Sequence, residues 1–323
     1  MNKRQIISTC AAALALAACP GYAQSFPSKP MRMVVHFPAG GPTDLVARLL
    51  GQKMSETWGQ QVLVDNRPGA GGVVGVDMVV RAPPDGYTLL FATSGSMSIT
   101  PAIGTKTPYN VFTDLAPVSL VVINPQILVL HPSVPANNVR ELIKLAKSKP
   151  GQINYASVGV GSPQHLGGEM LKAMTGIDIV HIPYKGTAPA VTDLLAGQVS
   201  LMFNSMPSVL PHVRAARLKG IAVSTAKRSV AAPDIPTVAE SGVPGFNYAT
   251  WYGLFAPAAT PKDIVAKLNA ETVRIMNDKS VAQRLIGEGA EPAPGTPEQL
   301  AQYMRSEYEQ WKKTIAAAKL KIE

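Results

Sequence analysis

The chain has 323 residues, a formal charge of +9, 16% charged and 46% hydrophobic residues. That length allows about two domains of ordinary size, and an ordinary hydrophobic share with few charges reads as a compact soluble protein. The Lys and Arg residues are scattered, with Lys312-Lys313 the densest run, so the positive balance implies a mild field for small anions and not a nucleic-acid surface.

Lys3 and Arg4 precede an apolar run from Ile6 to Ala18 and a small-residue site, Gly21-Tyr22-Ala23. This pattern predicts a secretory signal peptide over residues 1–23. The run is shorter than the roughly 20 residues that cross a bilayer. Leu16-Ala17-Ala18-Cys19 also fits a lipobox, in which Cys19 would carry a lipid; cleavage after Ala23 is the favoured reading. Cys10 and Cys19 both fall in the leader, so a mature chain from Gln24 has no thiol and depends on its core alone.

After the leader, apolar runs and helical periodicities alternate. Strands are expected at Met31–Phe37, Gln61–Asn66 and Thr88–Ala92, with helices at Leu45–Trp58 and Val73–Arg81 between them. The middle of the chain repeats the logic: strand Gln126–Leu130, helix Val139–Ser148, strand Ile153–Ser157, helix Pro163–Met174, strand Ile179–Ile182, helix Pro189–Ala196, strand Val199–Phe203. A last apolar run, Gly253–Ala256, precedes long helices at Pro261–Asn277 and from Pro297 to about Lys319. In the last, Leu300, Met304, Trp311 and Ile315 share one face and read as core. Alternating strands and helices imply an α/β fold with mostly parallel sheets. Segments near Asn124 and Tyr248 are the expected crossings between two lobes, one built from 24–124 and 248–323, the other from 125–247.

Four strand-to-helix corners carry polar groups. At Phe37-Pro-Ala-Gly40-Gly41-Pro-Thr43-Asp44 the glycines let the backbone bend, Thr43 stands where an N-cap hydroxyl belongs, and Asp44 suits a first helical turn. Read alone, that corner is only a capped turn. At Ala156–His165, Gly159 and Gly161 free the backbone, Ser162 can cap, and Pro163 fits the first helical position. Two such corners expose unpaired N–H groups and helix-dipole ends able to hold a carboxylate without Arg or Lys. In an open parallel sheet they gather at the carboxyl ends of the strands. A third corner, Pro183-Tyr184-Lys185-Gly186-Thr187-Ala-Pro189, offers a ring, an ammonium and a hydroxyl; Lys185 reads equally as a solvated surface charge. A fourth, Thr93-Ser94-Gly-Ser96, ends the strand at Ala92.

Enzymatic readings find little support. There is no Gly-x-Ser-x-Gly elbow, and histidines 36, 131, 165, 181 and 212 have no metal-ligand spacing. Ser162 and His165 could form a dyad, although a cap or ligand contact explains them more simply. Gly69-Ala-Gly71-Gly-Val-Val-Gly75 approximates a dinucleotide loop, but its spacing is off by one and no acid ends the next strand, so it reads as a Gly-rich turn.

Taken in order, Phe37–Asp44, Asp65-Asn-Arg-Pro-Gly-Ala-Gly-Gly72, Pro84-Asp-Gly-Tyr-Thr-Leu89, Tyr155-Ala-Ser157 with Gly161–Leu166, Pro183–Pro189 and Pro236-Thr-Val-Ala-Glu-Ser-Gly242 resemble the Bug family, the TctC-like receptors of tripartite tricarboxylate transporters. The resemblance spans nearly the whole mature chain. It implies a type II periplasmic binding protein fold, two lobes each with a mostly parallel sheet flanked by helices and a ligand cleft between them. It also implies a monomeric periplasmic receptor that delivers a small carboxylate to large and small membrane permease subunits, with no catalysis, metal or cofactor. The family's gripping corners match Gly40, Gly41 and Thr43 in one lobe and Gly161, Ser162 and His165 in the other, and its third loop matches Tyr184, Lys185, Gly186 and Thr187. Where many relatives read Asp-Asn, this chain has Asn204-Ser205, which removes an acidic contact and argues against a ligand with a free ammonium. His36 is a second departure. Phe37, Asp44 and Ser94 complete the expected ligand site. Two other outputs remain open: a sensory binding protein signalling to a membrane kinase, and a periplasmic serine hydrolase using Ser162 and His165.

Overall fold

Residues 26–317 are described in a computed structural model; the leader, the Cys19 alternative, the start at Gln24 and the final residues of the last helix lie outside them. Strand β1 (Met31–Val35) feeds helix α1 (Pro42–Trp58), followed by β2 (Val62–Asn66), α2 (Val73–Val80) and β3 (Thr88–Thr93). A π-helical segment, Gly95–Ile99, and the short α3 (Thr100–Ile103) lead to β4 (Leu115–Leu130). Then come α4 (Val139–Ser148), β5 (Ile153–Ser157), α5 (Pro163–Thr175), β6 (Ile179–Pro183), α6 (Thr187–Leu195), β7 (Leu201–Ser205), α7 (Met206–Arg214) and β8 (Lys219–Val223). Strand β9 (Ala249–Pro257), α8 (Lys262–Met276), α9 (Lys279–Gly287), β10 (Glu291–Pro292) and α10 (Pro297–Ala317) complete the chain.

Local chemistry sets these boundaries. Helix α1 opens with Pro42 at a position that needs no donor and closes at Gly59 in the left-handed region, whose amide reaches Ser55 O. Helix α4 carries a reciprocal cap: Asn138 Oδ1 accepts from the Glu141 amide, and Glu141 Oε2 accepts from the Asn137 amide.

The strands run in the order β2-β1-β3-β9-β4-β7-β5-β6, with β8 and β10 also on β4. The outer strands are parallel, as their alternation with helices predicts. The crossing strands β4 and β9 instead run antiparallel to all their partners, so the sheet is mixed. Strand β4 is the link: it pairs with β9 as far as Pro125↔Ala249 and with β7 from Gln126↔Ser205 onward.

Register fixes where the corners go. Thr93, the last residue of β3, lies beside Tyr252, which lies beside Val122; Ser205, the last residue of β7, lies beside Gln126. Because β3 and β7 run in opposite directions, the carboxyl ends of the two parallel strand sets point toward each other. Only about 13 Å of β4 separates them, at 3.3 Å per residue.

Each sheet is covered on both faces. Leu50, Phe91 and Leu254 share one cluster and Trp251, Phe255 and Leu300 another; Leu128, Phe203 and Leu166 form a third, and Ile127, Met202 and Leu210 a fourth. Helix α10 spans both sheets, with Leu300 and Met304 against Trp251, and Trp311 edge-on to Tyr248 at 5.6 Å. Its apolar stripe is therefore core, as its period indicates.

The sequence pattern does not mark the first half of β4, which contains Pro117 and Pro125, nor α7 with its Pro207 and Pro211, α9, β8, β10 or the short α3. The glycines after β2 have a packing explanation. A Cβ at Gly75 would lie 2.8 Å from His36 Cβ and 2.9 Å from the Arg67 carbonyl, and one at Gly72 would collide with the His36 ring. The loop is shaped by a histidine and not by a dinucleotide. Gly75→Ala is expected to lower stability by about 1–3 kcal/mol, and chemical denaturation giving less than about 0.5 kcal/mol would contradict this packing.

Candidate functional site

The first corner is held from below by Asp44. Its buried carboxylate accepts from the Gly40 amide (2.8 Å), Arg48 Nε (2.9 Å) and Asn66 Nδ2 (2.9 Å). Burial opposes its charge, but the bonds from Arg48, Gly40 and Asn66 outweigh this and keep its pKa below the usual carboxylate range. Gly40 can make the turn because it sits at φ +82°, where a side chain is strained. Thr43 is not the cap expected from the sequence. The helix starts earlier, Gly41 is its N-cap, and Thr43 is a buried residue of the first turn whose hydroxyl lies within hydrogen-bonding reach of the Tyr252 phenol. Phe37 stays exposed at the corner and packs against His36, ring centroids 4.5 Å apart.

At the second corner, Ser162 does cap α5: its hydroxyl accepts from the His165 amide (3.3 Å) and donates to Gly159 O (2.7 Å). The Gly161 amide donates to His165 Nδ1 at 3.0 Å, which fixes a neutral ring with its proton on Nε2. The Ser162 hydroxyl therefore has the backbone and not the imidazole as its partner, and the postulated dyad is not formed. His165 stacks on His181 at 3.9 Å, and His181 Nε2 shares a 2.6 Å hydrogen bond with Ser157 Oγ. Burial, with His165 alongside, lowers the His181 pKa to about 4, so the stack is uncharged near neutral pH.

At the third corner the Tyr184 hydroxyl donates to Asp193 Oδ2 (2.7 Å), and burial and that carboxylate push its pKa up to about 12. The phenol is thus occupied by its own helix. Gly186 caps α6 ahead of Thr187, and Lys185 is exposed with no ion pair among the described residues. Ser94, at the end of β3, is buried with an unpartnered hydroxyl. Asn204, expected in the ligand site from the sequence, is fully buried on the face of β7 that carries Met202, and its Oδ1 accepts from the Ser205 amide. Ser205 is half-buried and shares a hydrogen bond with Ser208 Oγ.

All these corners stand at the facing carboxyl ends of the two strand sets. Two amides expected to be free from the sequence, those of Gly40 and Gly161, are taken internally. Among the described residues, the amides of Gly41, Thr43, Asp44 and Gln164 have no partner, and they open helices of 17 and 13 residues. The arrangement can hold an anion by peptide dipoles and N–H donors. Groups that local motifs did not reveal are His181, Thr250, Tyr252 and Gln126, which arrive from elements remote in sequence. The described residues contain no cluster of His, Cys, Asp and Glu suited to a metal ion, and no helix long and apolar enough to cross a membrane.

Known proteins resemble this chain over most of its length. Residues 46–320 match the model for the tripartite tricarboxylate transporter family receptor, TctC. Protein BugT of Bordetella pertussis is 37% identical over 99% of this chain and 100% of its own. Among solved structures, Rpa4515 of R. palustris with adipate is 35% identical with a TM-score of 0.78, covering 91% of this chain and 98% of that one. MatC of Rhodopseudomonas palustris with bound malate is 34% identical with a TM-score of 0.72, covering 90% and 100%.

The buried histidine beside the first corner supplies a test. Burial lowers the His36 pKa from 6.5 to about 4, so the unfolded chain binds this proton first and stability falls as pH drops from about 6.5 to 4. The loss attributable to His36 is on the order of 3 kcal/mol. Denaturant midpoints at pH 7.5 and 4.5 should show a smaller acid loss in His36→Gln than in wild type; equal losses would rule out a buried neutral imidazole.

Proposed function

The chain belongs to the tripartite tricarboxylate transporter receptor family, TctC, and from that premise we propose that it captures a small organic carboxylate between its lobes in the periplasm and delivers it to a two-subunit membrane permease. The family is one of receptors and not of enzymes. The observation that carries the reading is the set of unpaired amides on Gly41, Thr43, Asp44 and Gln164, at the mouths of two long helices on opposed strand ends. Relatives crystallised with adipate and malate support a carboxylate as the guest.

In this reading the expected site residues divide by task. Gly41 and Thr43 donate through the backbone from one lobe and the first turn of α5 from the other. Asp44 and His165 hold Gly40 and Gly161 in their left-handed turns, Ser162 caps α5, and Phe37, Ser94, Lys185, Gly186, Thr187 and Ser205 border the guest. The lobes comprise 26–124 with 248–317, and 125–247. Movement between them about the β4 and β9 crossings would signal occupancy to the permease.

Gly41 has φ −80° and ψ 168°, and a Cβ there meets nothing nearer than Pro38 O at 3.7 Å. Both Pro and Ala therefore fit its backbone, but Pro deletes the amide donor. A hydrogen bond to a charged acceptor contributes roughly 1.5–3 kcal/mol, so Gly41→Pro should bind an aliphatic dicarboxylate about tenfold or more weakly than Gly41→Ala in calorimetry. Equal affinities would remove this amide from the grip.

A further inference from the structure

At the crossing, β4 places two amide side chains where the sheets meet. Asn124 lies level with Thr250 of β9, and Gln126 lies level with Ser205 of β7. Gln126 Nε2 donates to Thr250 Oγ1 (3.3 Å) and to the Asn124 carbonyl (3.4 Å), and Thr250 Oγ1 donates to that same carbonyl (3.3 Å). The Gln126 amide head and the Asn124 main-chain carbonyl therefore meet at Thr250, and the pleat puts the Asn124 and Gln126 side chains on the same face of β4. Tyr252, two residues along the same face of β9, reaches Thr43 at the first corner. This polar strip runs along the floor between the two helix mouths.

Two atoms of the strip are unsatisfied. Asn124 Nδ2 and Gln126 Oε1 are buried without a hydrogen-bond partner, on residues 8% and 1% exposed. A buried amide atom left unpaired costs about 1–3 kcal/mol. One unpaired donor and one unpaired acceptor, two positions apart on the same face of β4, define what would complete them. A carboxylate would suit Asn124 Nδ2 and be repelled by Gln126 Oε1, while an ammonium would do the reverse. A hydroxyl can accept from the first and donate to the second at once.

We propose that Asn124 and Gln126 form a hydroxyl-reading subsite at the floor of the cleft, so that the guest is a hydroxy-carboxylate. This rests on the carboxylate-receptor reading: the helix mouths take the charged group and the strip takes a hydroxyl carried near it. A site built to pair such a group rejects the analogue that lacks it, because its buried amide atoms are then left open.

The test compares matched acids on the wild-type protein by calorimetry: lactate with propionate, malate with succinate, citrate with tricarballylate, and mandelate with phenylacetate. In the best-binding pair the hydroxy acid should bind at least tenfold more tightly, and replacing its hydroxyl by fluorine, which cannot donate, should lose most of that factor. In Asn124→Asp and Gln126→Met the ratio within the pair should collapse toward one. If carboxylates bind but the hydroxyl makes no difference, the subsite is wrong while the receptor reading stands. Retention of the full ratio by both folded variants would overturn the subsite in the same way. If none of the acids binds, the carboxylate reading itself falls and takes the subsite with it. The ligand series decides the matter on wild type alone should either variant fail to fold.

Discussion

The antiparallel passage of β4 from one sheet into the other is the constraint on which the rest depends. Had β7 run parallel to β4, its carboxyl end would point away from the first sheet and its corner would open on the far side of the molecule. Antiparallel pairing at Gln126↔Ser205, with β5 and β6 parallel to β7, turns every glycine-bearing corner of the second sheet toward those of the first. Two ordinary strand-to-helix turns are thereby brought face to face.

Within that site the side chains act mainly on the backbone. Asp44 is a carboxylate at the heart of the corner proposed to take an anion, which looks contradictory until its partners are counted: Arg48, Asn66 and the Gly40 amide absorb its charge. His165 plays the equivalent part for Gly161. Each ties down one amide and leaves its neighbours unpaired, and in the proposed reading donors fixed in this way would need less ordering on binding. The stacked, uncharged histidines 165 and 181 add rigidity beneath the second corner without adding a fixed charge.

The glycine-rich loop at 69–75 shows how one pattern can have two causes. A nucleotide loop needs glycine so that a phosphate can approach the backbone. Here Gly72 and Gly75 let the ring and backbone of His36 approach instead. Both ask for the absence of a Cβ, and only the neighbour distinguishes them. The departure at His36 and the glycines at 72 and 75 are thus a single packing unit.

The amino-acid sequence by itself determined what is local. Helical periods, proline at first-turn positions and glycine at turns located most of the strands and helices to within a few residues, with helix Val139–Ser148 matching at both ends, and the ordered corners carried the family resemblance. Tertiary structure alone decided what depends on direction and on partners distant in the chain. The N-cap of α1 moved from Thr43 to Gly41 because Pro42 can begin a helix without a donor. The register of β7 decided that Asn204 shares a face with Met202 and is fully buried. The Gly40 and Gly161 amides proved occupied because Asp44 and His165 sit one helical turn away. Gln126, Thr250 and Tyr252 lie on one face of the crossing because β4 and β9, more than a hundred residues apart, pair there, and a short-range pattern does not encode which strand lies beside which.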